Sequence, residues 1–368
     1  MDELKRCIKK AADCLDRGAG ITDEKGTVIY ATDESLVTTL EIEAAQLLQR
    51  GDHFLISDQR VYRNLTELDS QTYCCFIDGT DAVSQAYAEL LSQWIIATLQ
   101  DKTNESDKKS LVKNILLENE LPGDIPLKAR EHHISYVGCR VVYIVRTPNE
   151  NNLAAQGILS DWVGRNRNDF MLTMDENSIV IVKELMTDNP KREAAEIGKE
   201  IANMLKQGGR EHVHIGIGMA VETLKDCARS YREASLALTI GDIFNPEVEL
   251  MFYNRLGLGR LIYQLPPTLC RMFLDEVFPH ESYDELDEET LNTIDKFFEN
   301  NLNGSETSRQ LFVHRNTLVY RLDKVQKTTD LDLRNFDDAV LFKLASMVRK
   351  YLEKQAPSAL GSPARWRR

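Results

Sequence analysis

The chain has 368 residues, enough for two or three domains, and 42% hydrophobic with 28% charged residues is the balance of a globular protein rather than a disordered or membrane one. No segment approaches the roughly 18 uninterrupted apolar residues of a membrane span, and residues 1–16 mix acids and bases where a secretion signal would be apolar, so a cytoplasmic protein with no membrane partner is expected. A formal charge of −13 excludes a protein that coats nucleic acid indiscriminately but leaves room for one small basic reading head. The seven cysteines include no C-x-x-C pair and are read as reduced thiols.

Residues 18–32 hold two short β-rich runs around a polar turn ending at Gly26, the pattern of a hairpin. Residues 54–57, 61–64 and 73–78 are further strand candidates, and Val83, Tyr87, Leu90, Leu91, Trp94 and Ile95 form a helical apolar stripe. Asp23 to Val28 reads Asp-x-x-Gly-x-Val and resembles a hairpin of PAS domains; the resemblance implies a PAS-like sensor over residues 1–100. A pocket between these strands and their covering helices would offer Tyr30, Arg60, Tyr62, Arg63 and Tyr73 to a small-molecule effector. For an acidic effector, Arg60 or Arg63 is the natural carboxylate partner; on a solvated hairpin instead, either would hold nothing.

Residues 101–122 read as a helical linker. Beyond it, the apolar runs Cys139–Arg146, Ser178–Lys183 and His212–Gly218 alternate with helical stretches at 194–205 and 227–241, an α/β pattern. His214-Ile-Gly-Ile-Gly218 followed by Ser230-Tyr-Arg-Glu-Ala-Ser-Leu-Ala-Leu238 is similar to the late strand and helix of a GGDEF-like nucleotide-cyclase domain, here placed at 123–265. The Gly-Gly signature with its two metal-holding acids is missing: residues 171–177 offer only Asp175 and Glu176, read as turn residues. Gly208-Gly209 follows a helix and reads as its C-cap. The domain is therefore degenerate, with no cofactor and no enzymatic activity expected. His132-His133 and His212-x-His214 lack a matching Cys or carboxylate pair, so no metal is expected; alternation with Val213 and Ile215 would put His212 and His214 on one face of a strand.

The last third is helical. Asp287 can cap a helix with apolar positions Leu291, Ile294, Phe297, Phe298 and Leu302, ending at Asn303-Gly304, after which Ser305 can cap the next. Ser308-x-x-Leu311-x-Val313 and the helix after it follow the helix-turn-helix pattern. Leu318, Leu322 and Val325 repeat at i, i+4 and i+7 and should face the core, leaving Arg315, Asn316, Tyr320 and Arg321 wholly or partly outward. Between Arg309 and Lys327 five cations stand against one acid, Asp323, a local positive stripe suited to phosphates. The DNA-contact candidates are His314, Arg315, Asn316, Thr317, Tyr320, Arg321 and Lys324, with His314 serving either as helix cap or as phosphate contact.

Leu311-Phe-Val-His-Arg-Asn-Thr-Leu-Val-Tyr-Arg-Leu322 closely resembles the C-terminal helix-turn-helix of the CdaR/PucR regulators of sugar-diacid and purine catabolism. Ser230–Leu238, Phe252-Tyr-x-x-Leu-Gly-Leu258 and Leu331-Asp-Leu333 follow in that family's order, so the likeness covers most of 111–352. It implies an α+β multidomain chain: PAS-like sensor, degenerate GGDEF-like domain, an all-α helix-turn-helix domain over 284–354, and a disordered tail at 355–368. The function implied is a one-component, metabolite-responsive regulator binding double-stranded operator DNA as a homodimer or higher homo-oligomer. The alternatives are a cyclase- or phosphodiesterase-related enzyme and a protein-binding adaptor.

Overall fold

The computed structural model describes residues 2–65, 72–147, 153–210 and 212–355. Residues 356–368, where a disordered tail is expected, lie outside them. The chain forms two compact units, residues 1–111 and 112–368. No described helix is long and apolar enough to cross a membrane.

The first unit runs α1 (Asp2–Cys14), β1 (Ala19–Thr22), β2 (Val28–Ala31), α2 (Ile42–Arg50), β3 (Phe54–Ile56), β4 (Arg60–Asn64), β5 (Cys74–Asp78) and α3 (Ala82–Leu116), the last running on as one helix into the linker expected at 101–122. Its sheet is antiparallel, ordered β2-β1-β5-β4-β3, so the hairpin of β1 and β2 joins the sheet through β5. Central β5 is buried on both faces: Cys75 and Ile77 pack with Leu4, Ile8, Leu91 and Ile95 of α1 and α3, while Cys74 and Phe76 pack with Ala44 and Leu47 of α2.

The second unit continues with α4 (Ile125–Glu131), β6 (Val137–Arg146), α5 (Leu153–Val163), β7 (Phe170–Asp175), β8 (Ser178–Glu184), α6 (Pro190–Gln207), β9 (His214–Ile217), β10 (Val221–Thr223), α7 (Cys227–Phe244) and β11 (Leu250–Phe252). The strand order is β11-β9-β6-β8-β7, with β10 also on β6, and every pairing is antiparallel except β11 with β9. The apolar runs seen in the sequence are β6, β8 and β9, and on one face Tyr143, Ile181, Ile215 and Ile217 pack with Leu159, Ile197, Ile201 and Leu205 of α5 and α6.

His212 departs from expectation: it precedes β9 with φ +58°, so it does not share a strand face with His214, whose Nδ1 lies 3.2 Å from Asp242. Asp175 accepts the Asn177 N–H at 2.8 Å and closes the β7–β8 turn at the position of the missing cyclase signature.

The chain then forms α8 (Leu258–Tyr263), α9 (Pro267–Val277), α10 (Glu288–Glu299), α11 (Gly304–Gln310), α12 (Arg315–Thr329) and α13 (Phe336–Gln355). The helical end is not a separate bead. Val348, Tyr351 and Leu352 of α13 pack with Ile262 and Cys270 of α8 and α9, and with Ile243 and Phe244 of α7.

On its other face the sheet meets α7 at unusually short range. A Cβ on Gly216 would lie 2.2 Å from the Ala234 carbonyl oxygen, and one on Gly218 2.1 Å from that of Ser230. The Ser230 hydroxyl accepts the buried Val142 N–H at 3.0 Å. The two halves of the GGDEF-like sequence pattern are thus one contact, Gly216 in β9 and Gly218 just beyond it against Ser230, Ala234 and Leu238 one and two turns apart on a helix. Backbone oxygens cannot step aside, so Gly216→Ala should cost about 1–3 kcal/mol through overpacking, seen as a lower urea midpoint at unchanged slope. An unchanged midpoint would contradict the close packing.

Candidate nucleic-acid interface

The reading head is built by caps. Asp287 accepts the Thr290 N–H at 2.8 Å and starts α10. Asn303, rather than Ser305, starts α11: its side chain accepts from the N–H groups of Ser305 (3.1 Å) and Glu306 (3.2 Å). The expected stop at Asn303-Gly304 comes four residues earlier, at Glu299, because Asn301 and Leu302 turn into left-handed conformations. The turn between α11 and α12 is made by Leu311, Phe312 and Val313, with Phe312 at φ +54°. His314 then caps α12, its Nδ1 accepting the Asn316 N–H at 3.2 Å.

Leu318, Leu322 and Val325 are buried with Phe278, Leu286, Ile294, Phe297, Leu333, Phe342 and Ala345. Where α11 crosses α12, small Ser308 is buried and returns its hydroxyl to the Gly304 and Ser305 carbonyls. With that seam inward, Arg315, Asn316 and Tyr320 are exposed and Thr317 is half-buried. No ion pair or side-chain hydrogen bond ties Arg315 or Tyr320 among the described residues.

Two predicted contacts are placed differently. Arg321 turns onto α10, donating to Thr293 at 3.0 Å and to Glu289 at 2.6 Å, with its side chain 18% exposed. Lys324 pairs with Asp287, whose carboxyl is held well below the usual range by that bond and by its own cap bonds. Asp323 is met by Arg334 at 2.8 Å, and Arg309 pairs with Glu306. The basic stripe counted along the sequence is therefore partly neutralised by acids from the first turn of α10, more than 30 positions away. Arg315 and Lys327 keep no acidic partner among the described residues.

Phe312 was not singled out from the sequence, where it read as one letter of the turn. It is 96% exposed, and Arg315 and Tyr320 are exposed too. A left-handed φ at a bulky residue is uncommon, and here it holds a large apolar ring in water.

The PucR C-terminal helix-turn-helix domain family matches residues 290–348, and the GGDEF-like domain family matches residues 118–240. The chain is 29% identical over 184 residues to the carbohydrate diacid regulator of Escherichia coli (strain K12), covering 49% of this chain and 47% of that one. These parts of the chain are similar to those of CdaR/PucR-type regulators. The likeness to the purine catabolism regulatory protein of Bacillus subtilis (strain 168) is longer, 22% over 386 residues, covering 95% of this chain and 71% of the relative. The DNA-binding transcriptional activator AdeR of the same organism is 27% identical over 174 residues, 45% of this chain and 40% of its own. The chain spans about half the length of most of these curated relatives. The helix-turn-helix match falls on α10 to α13 and the GGDEF-like match on α4 to α7.

The seam and the Arg321 pairing separate folding from contact. Leu318→Ala should destabilise the helical end by about 2–5 kcal/mol through a core cavity. Arg321→Ala should cost less, about 0.5–1 kcal/mol, because Glu289 is largely solvated. Arg315→Ala should leave the urea midpoint unchanged, and a loss equal to that of Arg321→Ala would show that Arg315 has a structural partner after all.

Proposed function

We propose that the chain is a one-component cytoplasmic transcriptional regulator that binds double-stranded operator DNA through α11 and α12 and answers to a small metabolite held in its N-terminal unit. The observation that carries the DNA-binding reading is the open face of α12: Arg315, Asn316 and Tyr320 point away from a seam whose burial fixes the helix rotation. A guanidinium and an amide at the start of a helix that can enter a major groove are suited to guanine and adenine edges. Thr317 and Tyr320 supply hydroxyls for phosphates, and His314, with Nδ1 committed to the cap, has its other ring nitrogen left for a phosphate. Arg321 and Lys324 act at one remove, orienting α12 on α10 and adding to the local field. Phe312 packs on a deoxyribose or a thymine methyl, a use that repays an otherwise unfavourable exposure. One such head reads few base pairs, so two heads of a homo-oligomer bind together.

For the effector, the strand period divides the five candidates. Arg60 and Tyr62 face α2, where both bond to Glu41 (2.6 and 2.7 Å) and Arg60 also to Asp78 (2.7 Å). Arg63 faces α3 and pairs with Glu89, while Tyr30 and Tyr73 pack into the α1/α3 core. Arg60 is already satisfied, whereas Arg63 opens on a cleft of about 300 Å³ lined also by His53, Asn64, Ser92 and Gln93. An acidic effector would enter there and compete with Glu89 for Arg63. The five-stranded antiparallel sheet with helices on both faces supports a PAS-like sensor. The regulator names of the relatives, and a β7–β8 turn without the cyclase acids, favour regulation over catalysis.

The test is operator binding by the full chain, with DNA selected from genomic fragments. Arg315→Ala should weaken specific binding by about 1–3 kcal/mol, and a lost phosphate contact should lower the salt slope by about one. Phe312→Ala should weaken binding without lowering stability. Salt-independent affinity, or full affinity in both variants, would move the chain to the protein-binding class. In a screen of small organic acids, Arg63→Gln should remove the effect of the active acid on DNA affinity while leaving basal binding intact.

A further inference from the structure

The sheet of the second unit has one parallel pair, β9 with β11, so both strands end on the same side. Such shared carboxyl ends are where open α/β sheets accept ligands. Just beyond Ile217 and Phe252, the last residues of the two strands, lies a cleft of about 370 Å³, within the range of small-molecule sites. It is not the edge that a cyclase would use. Strand register puts the β7–β8 turn beside Arg146 and the start of β9, at the opposite end of the sheet from Ile217.

The chemistry of the lining is one-sided. Ile217, Ala194, Met219 and Phe252 give an apolar floor; Lys191, from the first turn of α6, and Arg255, from the turn after β11, give two cations. Among the described residues no acid lines the cleft. Both cations are exposed, and neither has an ion pair among the described residues. Arg255 instead lies over the Phe252 ring, 4.7 Å from its centroid, which holds the guanidinium at the cleft while leaving its N–H edge unspent. A planar guanidinium offers two parallel hydrogen bonds to a carboxylate or phosphate, the ammonium adds a point charge, and the floor takes a flat apolar body.

We propose that this cleft binds a small organic anion, a carboxylate or phosphate monoester carried on an aromatic or similarly flat apolar group. The site is independent of the DNA-binding reading and distinct from the Arg63 cleft. It gives the GGDEF-like domain, which lacks the cyclase signature, a ligand of its own.

The experiment is calorimetric titration of the full chain with benzoate and phenyl phosphate, and with inorganic phosphate and benzyl alcohol as probes of each half of the ligand. Saturable binding of benzoate or phenyl phosphate at one site per chain is expected, and whichever binds tighter identifies the anion. Lys191→Gln with Arg255→Gln should weaken it at least tenfold while Arg63→Gln leaves it unchanged. The urea midpoint of the double variant should match the parent, since both cations are exposed. A second variant, Ala194→Leu, should block the floor and also weaken binding while both cations remain. The proposal is overturned if neither aromatic anion saturates, if the double variant binds as well as the parent, if Arg63→Gln alone abolishes binding, or if inorganic phosphate or benzyl alcohol binds as tightly as the aromatic anions.

Discussion

Burial of Leu318, Leu322 and Val325 against α10 and α13 sets the rotation of α12 about its own axis, and the meaning of every other side chain on that helix follows from it. A helix has one apolar stripe and the opposite face goes to water. With the stripe inward, Arg315, Asn316 and Tyr320 have nowhere to go but outward, and Arg321 falls at the border, near enough to α10 to find Glu289. The caps at Asn303 and His314 do the complementary work of fixing where each helix begins, so that the turn carrying Phe312 is short and rigidly placed.

Charge in this protein is distributed by the fold. The overall −13 would repel DNA if spread evenly, and the head has its own acids in the first turn of α10. Of the acids at the start of α10, Glu289 pairs with Arg321 and the cap Asp287 with Lys324, while Glu306 and Asp323 pair with Arg309 and Arg334. What reaches the outward face is a small number of uncompensated donors rather than a broad basic surface. That pattern favours selective contact over general phosphate attraction. The same principle runs in reverse in the N-terminal unit, where Arg60 is held between Glu41 and Asp78 over the Phe76 ring and ties β4 to β5 and to the start of α2.

The GGDEF-like part is held together where strand β9 meets helix α7. The close approach of α7 to β9 through Gly216 and Gly218 preserves the sheet-to-helix geometry, and the β7–β8 turn, closed by Asp175 on its own backbone, is an ordinary turn. The packing of α13 on α7, α8 and α9 ties this domain to the helical end within one unit, so strain or ligand at the sheet has a packed route of contacts towards the head.

The sequence by itself determined the recurring local features: the hairpin at Gly26, the apolar strands β6, β8 and β9, the absent cyclase acids, and the long Leu311 to Leu322 motif with its inward seam. Each is fixed by residues within about ten positions of one another, where turn chemistry and hydrophobic period act directly. Only the tertiary structure decided which cations are free, because Glu289 meets Arg321 across 32 positions and no local pattern encodes that pairing. It also decided what meets Arg60 and Arg63: the strand period alone puts them on opposite faces, but Glu41 and Glu89 arrive from other elements. Leu302 and Phe312 belong to the same class: unlike Asn301 beside them, they carry no intrinsic preference for the left-handed conformation, which the packing on either side imposes.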